Sequence, residues 1–321
     1  MEEILTLTVA QFLEAFDADP EDGEWLAEEI ARYDFRYRRL SQEERDALIL
    51  SVLDRLDGFT QVGAHRQHIW ELAWGDVADR YERSRGDLSA LEPGFIGATR
   101  EIRLRGDFAV PMDPKFEFHF FRVFRHWLYR KHLGAARQVY EFGCGSGFNL
   151  AALAQRAPDK VLTGLDWAQP AVDLINAFAR KQGFNLTGRR FDFFNPDPEL
   201  KLEPGAVVMT FCALEQTGVG FRDFIDWLLE RQPERVISME PVLEFYDPAR
   251  LYDALALRYH RHRNYLNGYY TYIRELAAAG RVEILKARRL QYGSLFHEGT
   301  SMLIWRPISV GESTGIRENQ A

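Results

Sequence analysis

The chain has 321 residues, of which 46% are hydrophobic, 27% charged and 13% aromatic, and its formal net charge is −8. This is globular composition; it excludes a disordered tail protein, a collagen-like chain and a coiled coil. The acidic balance argues against nonspecific nucleic-acid or anionic-membrane binding, which need a basic footprint.

The first 34 residues hold eleven carboxylates against one arginine, yet Trp25, Leu26, Glu29, Ile30 and Tyr33 are spaced for one helical face. Ser41-Gln-Glu-Glu44 spells a capping box ahead of Leu48, Ile49, Val52, Leu53 and Leu56, with Gly58 as the stop. A third helix is predicted from Gln67 to Arg83, carrying Trp70, Trp74, Val77 and Tyr81. Residues 84–114 are rich in Gly and Pro and predict a structured loop. Lys115 to Leu133 predicts a long helix with Phe116, Phe120, Phe124 and Trp127. The Phe and Trp stripes of this region read as core packing; only His119 and Arg122 stand out as polar exceptions. The expectation is a mainly helical N-terminal domain or lid over 1–114 and a connecting helix over 115–136.

From Val139 the texture changes. Short apolar runs at Gln138–Phe142, Val161–Leu165, Ala206–Phe211 and Val236–Met239 alternate with helical patterns at 148–156, 169–182 and 221–231. A weaker third strand ends near Arg190, and the connection from Pro248 to Ala279 reads as helical. This alternation predicts an α/β fold: a seven-stranded, mostly parallel, doubly wound (Rossmann-like) sheet over 137–308. Val282–Leu290 and Ser301–Trp305 are joined by a loop without a helix, so the last strand should run antiparallel. The polar tail, 309–321, is expected to be flexible. No run of about 18 apolar residues predicts a membrane span, and Met1-Glu-Glu carries acids where a secretory leader carries Lys or Arg, so a cytoplasmic protein is expected. Cys144 and Cys212 form no C-x-x-C pair, and nothing in the sequence points to a metal.

The sharpest motif is Glu141-Phe-Gly143-Cys144-Gly145-Ser-Gly147-Phe148-Asn149, which follows a predicted strand and opens a predicted helix. A dinucleotide fingerprint would need glycine where Phe148 stands, and an acid two residues before Gly143 suits a positively charged ligand better than a pyrophosphate. Asp166 ends the second strand 19 residues after Gly147, where a carboxylate can accept from both ribose hydroxyls. Asp192 ends the third, where it can accept from an adenine amino group while Trp167 or Phe193 packs on the ring.

These residues resemble the class I S-adenosylmethionine-dependent methyltransferases, over roughly 137–306. The resemblance implies that Gly143, Gly145 and Gly147 line the donor's methionine and ribose. It implies that Glu141 sits near its amino end, that Asp166 holds the ribose diol and that Asp192 reads adenine. Cys144, Asn149, Trp167, Phe193 and Phe211 complete the expected donor site. S-adenosylmethionine is the expected cofactor and S-adenosylhomocysteine the product. A looser resemblance, carried by Leu214–Gln216, Glu240-Pro241, His260 to Leu266 and Gly293 to Glu298, is to bacterial methyltransferase-domain proteins. Some of those belong with surface-polysaccharide or specialised-metabolite genes, which suggests a sugar or small polar acceptor.

Methyl transfer to a hydroxyl needs in-line alignment, exclusion of water and a base within reach. In an open α/β sheet such groups belong on loops at the carboxyl ends of strands. Three loops and one helical segment qualify. They supply His260, His297, Glu215 and Glu240 as candidate bases, and Gln216, Glu244, Arg263, Tyr265 and Glu298 as candidate acceptor-binding residues. Arg263 could hold a carboxylate or phosphate through its planar fork. The reading is O-methylation of a sugar, sugar acid or other anionic metabolite. The alternative is an N-methyltransferase acting on an amine, tRNA or protein, although Phe211-Cys-Ala-Leu-Glu215 departs from the Asn/Asp-Pro-Pro-Phe/Tyr signature common there. A small-molecule acceptor is the expected partner, with a homodimer left open and neither nucleic acid nor membrane expected.

Overall fold

The computed structural model describes residues 3–94, 96, 97 and 99–308; the tail expected to be flexible, 309–321, lies outside the described residues. The N-terminal part runs β1 (Ile4–Thr6), α1 (Val9–Phe16), α2 (Gly23–Ile30), β2 (Arg36–Arg39), α3 (Gln42–Leu56), α4 (Gln67–Arg83), β3 (Ile102–Leu104), β4 (Asp107–Pro111) and α5 (Phe116–His132). The capping box is formed as spelled: Ser41 Oγ accepts from Glu44 N at 3.2 Å, and Glu44 Oε2 accepts from Ser41 N at 2.9 Å. Such a cap stabilises a helix by about 1 kcal/mol.

The N-terminal part is mainly helical, as expected, but it also carries strands that the sequence did not announce. These helices share the region with an antiparallel sheet of order β1-β2-β4-β3-β11, where β11 is Tyr292–Gly293 from near the chain's far end. What read as a loop at 84–114 contains the β3–β4 hairpin. Its two-residue turn holds Arg105 at φ 53° and Gly106 at φ 83°, the left-handed pair of a type I′ turn. These strands are three to five residues long and Arg36, Arg38 and Arg103 occupy alternate positions, so the apolar alternation that marks a strand is faint.

The remainder is β5 (Gln138–Phe142), α6 (Phe148–Arg156), β6 (Val161–Asp166), α7 (Gln169–Gln182), β7 (Leu186–Arg190), β8 (Val207–Phe211), α8 (Arg222–Arg231), β9 (Arg235–Glu240), α9 (Leu251–Arg263), α10 (Tyr269–Ala278), β10 (Val282–Arg289), β11 and β12 (Ser301–Pro307). The main sheet has the order β10-β12-β9-β8-β5-β6-β7. Only β12 runs against the others, pairing antiparallel with both β9 and β10. The predicted α/β sheet and its reversed last strand are therefore present.

One core joins a face of this sheet to the N-terminal aromatic stripe, where Phe12, Phe16, Phe120, Phe124 and Trp127 interlock. A second core, with Phe142, Phe224 and Trp305, covers the other face. Burying each such ring contributes about 1.5–3 kcal/mol. The connection read as one helix from Pro248 to Ala279 breaks after Arg263: Asn264 (φ 58°) caps α9 in the left-handed region, and α10 starts only after Gly268 (φ 84°).

Candidate active site

The sheet order reverses between β5 and β8, which leaves a crevice above their carboxyl ends. The glycine loop crosses it. Gly143 N and Cys144 N donate to Leu165 O at 2.7 and 3.1 Å, fastening the loop to the end of β6. Asp166, buried, accepts from Gly145 N through Oδ2 and from Ala168 N through Oδ1, both at 2.9 Å. Burial pushes its carboxyl up to about 6, against the pull of those backbone amides. Gly145 sits at φ 52°, and a Cβ there would lie 2.5 Å from the Trp74 ring. Gly145→Ala is expected to destabilise the protein by about 1–3 kcal/mol in denaturant titration. Gly183→Ala, equally left-handed at φ 70° but facing open space, should lose less, which separates the Trp74 clash from backbone strain.

Glu141 is 1% exposed. Its Oε1 accepts from Asn149 Nδ2 at 2.7 Å, and Asn149 Oδ1 accepts from Arg125 Nη1 at 3.0 Å. Arg125, also buried, lies over the Phe148 ring at 4.0 Å. Glu141 Oε2 has no partner, and burial pushes the carboxyl up to about 8. A half-satisfied acid in this position favours a cation. Sequence reasoning passed over Arg125; a charge lodged between Phe124 and Trp127 in an otherwise aromatic stripe was the available signal.

A cavity opens in front of the loop, reaching Gly143, Asp166 and Cys212. Trp70 and Trp74, stacked with ring centroids 5.5 Å apart, form one wall. Phe193, and Trp167 stacked on Phe194 at 5.9 Å, form another. Reading Trp70 and Trp74 as packing alone is corrected here, since a stripe that faces a cavity has the same period as one that faces a core. Of the other predicted donor-side residues, Phe211 is buried against Phe121. Cys144 Sγ turns inward, 3.0 Å from where a Cβ on Gly164 would stand, so this residue offers the crevice its backbone. Asp192 accepts from Phe194 N and Asn195 Nδ2, each at 2.9 Å, and closes its own turn beside the cavity's aromatic wall.

On the acceptor side the structure gathers six predicted residues. Gln216 lines the cavity. Glu215, its neighbour in the 3-10 turn Leu214–Thr217, is buried, with Oε2 unpartnered. Rings of Tyr265 and His260 stand 5.8 and 5.0 Å from that of His297, and Arg263 Nη2 donates to Tyr265 Oη at 3.2 Å. A Cβ on Gly299 would lie 3.6 Å from His297 Nε2 and 3.8 Å from Cys212 Sγ, so the imidazole edge and the cavity-lining thiol border one small space. Burial, together with Arg103 and Arg263, pushes His297 down to about 3. His260 is wholly buried one layer behind, with neither ring nitrogen bonded.

Three predicted residues serve elsewhere. Glu240 spends both oxygens on the backbone, accepting from Ala213, Leu214 and Glu215 N at 3.1–3.2 Å; it shapes the turn that carries Glu215. Glu244 is exposed and accepts from Thr271 N at 2.9 Å in the first turn of α10. Glu298 is fully buried, accepting from Tyr252 Oη at 3.0 Å and from Arg289 Nε. Arg289 also grips Asp253 at 2.7 and 3.0 Å. His119 and Arg122 pair with Asp113 and Glu92 away from the cavity. Among the described residues no group of three or more His, Cys, Asp or Glu could hold a metal ion, and no helix is long and apolar enough to cross a membrane.

A single reversed strand lying between β9 and β10, and a glycine loop leaving the central strand at the switch point, decide the architecture. The chain has a doubly wound, Rossmann-like α/β fold with one reversed strand. No family model and no curated protein sequence matches it. Among solved structures, the O-methyltransferase NcsB1 from neocarzinostatin biosynthesis, bound to S-adenosylmethionine and 2-hydroxy-5-methyl naphthoic acid, is 20% identical and overlaps 61% of this chain and 59% of its own, at a TM-score of 0.39. Magnesium protoporphyrin IX methyltransferase (ChlM) from Synechocystis PCC 6803, with S-adenosylhomocysteine bound, is 16% identical over 57% of this chain and 79% of its own, at 0.43. The pyocyanin biosynthetic protein PhzM is 13% identical over 61% and 60%, at 0.41. The chain thus spans about three fifths of the length of NcsB1 and PhzM. A shared fold leaves the reaction to be argued from the site.

Proposed function

We propose that this chain transfers a methyl group from S-adenosylmethionine to a hydroxyl of a small polar acceptor. The observation that carries this reading is the placement of half-satisfied Glu141 and of Asp166 at neighbouring strand ends, around a glycine loop that faces an aromatic-walled cavity. When bound, the donor supplies a sulfonium methyl already activated for in-line displacement. Glu141 Oε2 suits the donor's ammonium. Each Asp166 oxygen takes one backbone N–H and retains a lone pair for a ribose hydroxyl. The tryptophan and phenylalanine walls suit a planar base and exclude water from the transfer. His297, held neutral, has the base's place beside Cys212. Arg66 and Arg263, close to the acceptor side, would repel a cationic amine, which favours a hydroxyl acceptor over a nitrogen one.

Calorimetry with S-adenosylhomocysteine tests the donor assignment. Wild-type protein should bind it, and Asp166→Ala should weaken binding by ~10- to 100-fold, about 1–3 kcal/mol. Equal affinity in the variant would remove the ribose role, and no binding by the wild type would remove the methyltransferase reading.

A further inference from the structure

We propose that Arg66 and Arg263 form a paired oxyanion clamp, so that the methyl acceptor is a small hydroxylated metabolite carrying a carboxylate or phosphate. The inference rests on the methyltransferase reading and narrows its acceptor. Arg66 immediately precedes α4, and its Nε and Nη1 are buried without a hydrogen bond. Arg263, at the end of α9, is 7% exposed; its Nη1 donates to Thr60 O, its Nη2 to Tyr265 Oη, and its Nε to nothing. Neither guanidinium has an ion-pair partner among the described residues.

Burial and the neighbouring Arg263 charge both push Arg66 down. Two neighbouring like charges, Arg263 buried and Arg66 half-buried, are costly unless an anion joins them. Glu215 is the carboxyl near both, but burial and Glu240 push its pKa well up, and it makes no salt bridge with either arginine. The tyrosines on the same side, Tyr259 and Tyr265, are held neutral by burial. His260 and His297 are pushed down and remain neutral as well. The cluster therefore keeps an uncompensated positive charge.

Position ties this charge to the cavity. Trp70 and Trp74, four residues apart, share one stripe of α4, and Arg66 closes the 3-10 turn Ala64–Arg66 that leads directly into it. Trp74 meets the glycine loop at Gly145, Trp70 lines the cavity, and Arg66 lies beyond Trp70 at the amino end of α4. An acceptor lying past Trp70 would set its anion on the arginines and its hydroxyl toward His297, whose imidazole feels the Arg263 charge.

The test titrates S-adenosylhomocysteine-loaded protein with salicylate, phenyl phosphate and neutral salicylamide, followed by ligand-observed NMR. At least one anion should bind ~10-fold or more tighter than salicylamide, and Arg66→Gln should abolish that preference while leaving affinity for S-adenosylhomocysteine unchanged. Which anion wins distinguishes carboxylate from phosphate. Arg66→Gln should also raise the melting temperature of the ligand-free protein, because it removes the repulsion. Equal binding of salicylamide, a preference that survives Arg66→Gln, or no anion binding at millimolar concentration overturns the proposal. Failure of S-adenosylhomocysteine to bind would instead overturn the donor reading, and the anion titration can then be repeated on the ligand-free protein.

Discussion

Replacing His297 with alanine is expected to slow methyl transfer by about 10²- to 10⁴-fold, the range lost with a general base, while affinity for S-adenosylhomocysteine is unchanged. A base held near 3 is weak, but a hydroxyl oxygen becomes strongly acidic as its bond to the methyl carbon forms, so a neutral imidazole suffices at that moment. The same depression fixes the pH profile. An ordinary histidine base would lose activity as pH falls through about 6.5. With His297 down at about 3, the wild-type rate should stay free of a histidine inflection from pH 8 to pH 5. Transfer of label from the donor to the small-molecule fraction of an extract measures both. Full turnover in His297→Ala would exclude His297 as the base, and a clear inflection near 6.5 at saturating donor that disappears in the variant would show that its imidazole is not depressed.

The second large effect concerns Glu141→Gln. In the folded protein the Glu141 carboxyl titrates at about 8, against an ordinary value of 4.5. A group raised on folding contributes stability that is complete below its unfolded value and fades as pH rises through its folded one. The wild type should therefore lose stability relative to Glu141→Gln between about pH 5 and 8, at up to ~1.4 kcal/mol per pH unit. Donor binding carries the opposite dependence. A cation beside Glu141 favours its ionised form, so wild-type affinity for S-adenosylhomocysteine should rise from pH 6 to 8 with release of a proton, whereas Glu141→Gln binds weakly and keeps only the dependence near pH 6 that Asp166 gives. Calorimetry in two buffers of different ionisation enthalpy measures the proton. A wild type that binds without proton release would show that the cation lies elsewhere.

What the sequence disclosed and what it concealed divide by the reach of each interaction. Gly145 was legible because its left-handed backbone and the ring beside it demand glycine. The Ser41 capping box and β5, α6 and α7 were legible because caps and periodicity act within a few residues. Glu240, Glu244 and Glu298 looked alike as acids on strand-end loops, yet the first holds three amides, the second a helix turn and the third an arginine; those partners lie 25 or more residues away from Glu240 and Glu244. Arg66 carried no local mark, because its significance depends on Arg263 arriving from α9. The break at Asn264 had a local mark in Asn264 and Asn267-Gly268, a turn spelling, which the helical patterns on either side outweighed.

The pairing of Tyr292 and Gly293 with Leu104 and Arg103 bears on how the molecule comes into being. During synthesis the N-terminal strands emerge early, but their sheet lacks its edge partner until most of the polypeptide has been made, so that half must wait, incompletely zipped, for the other. The same stitch lies just before the segment carrying His297, and β12 follows it. The loop carrying His297 and the N-terminal sheet are thereby completed together, late in synthesis.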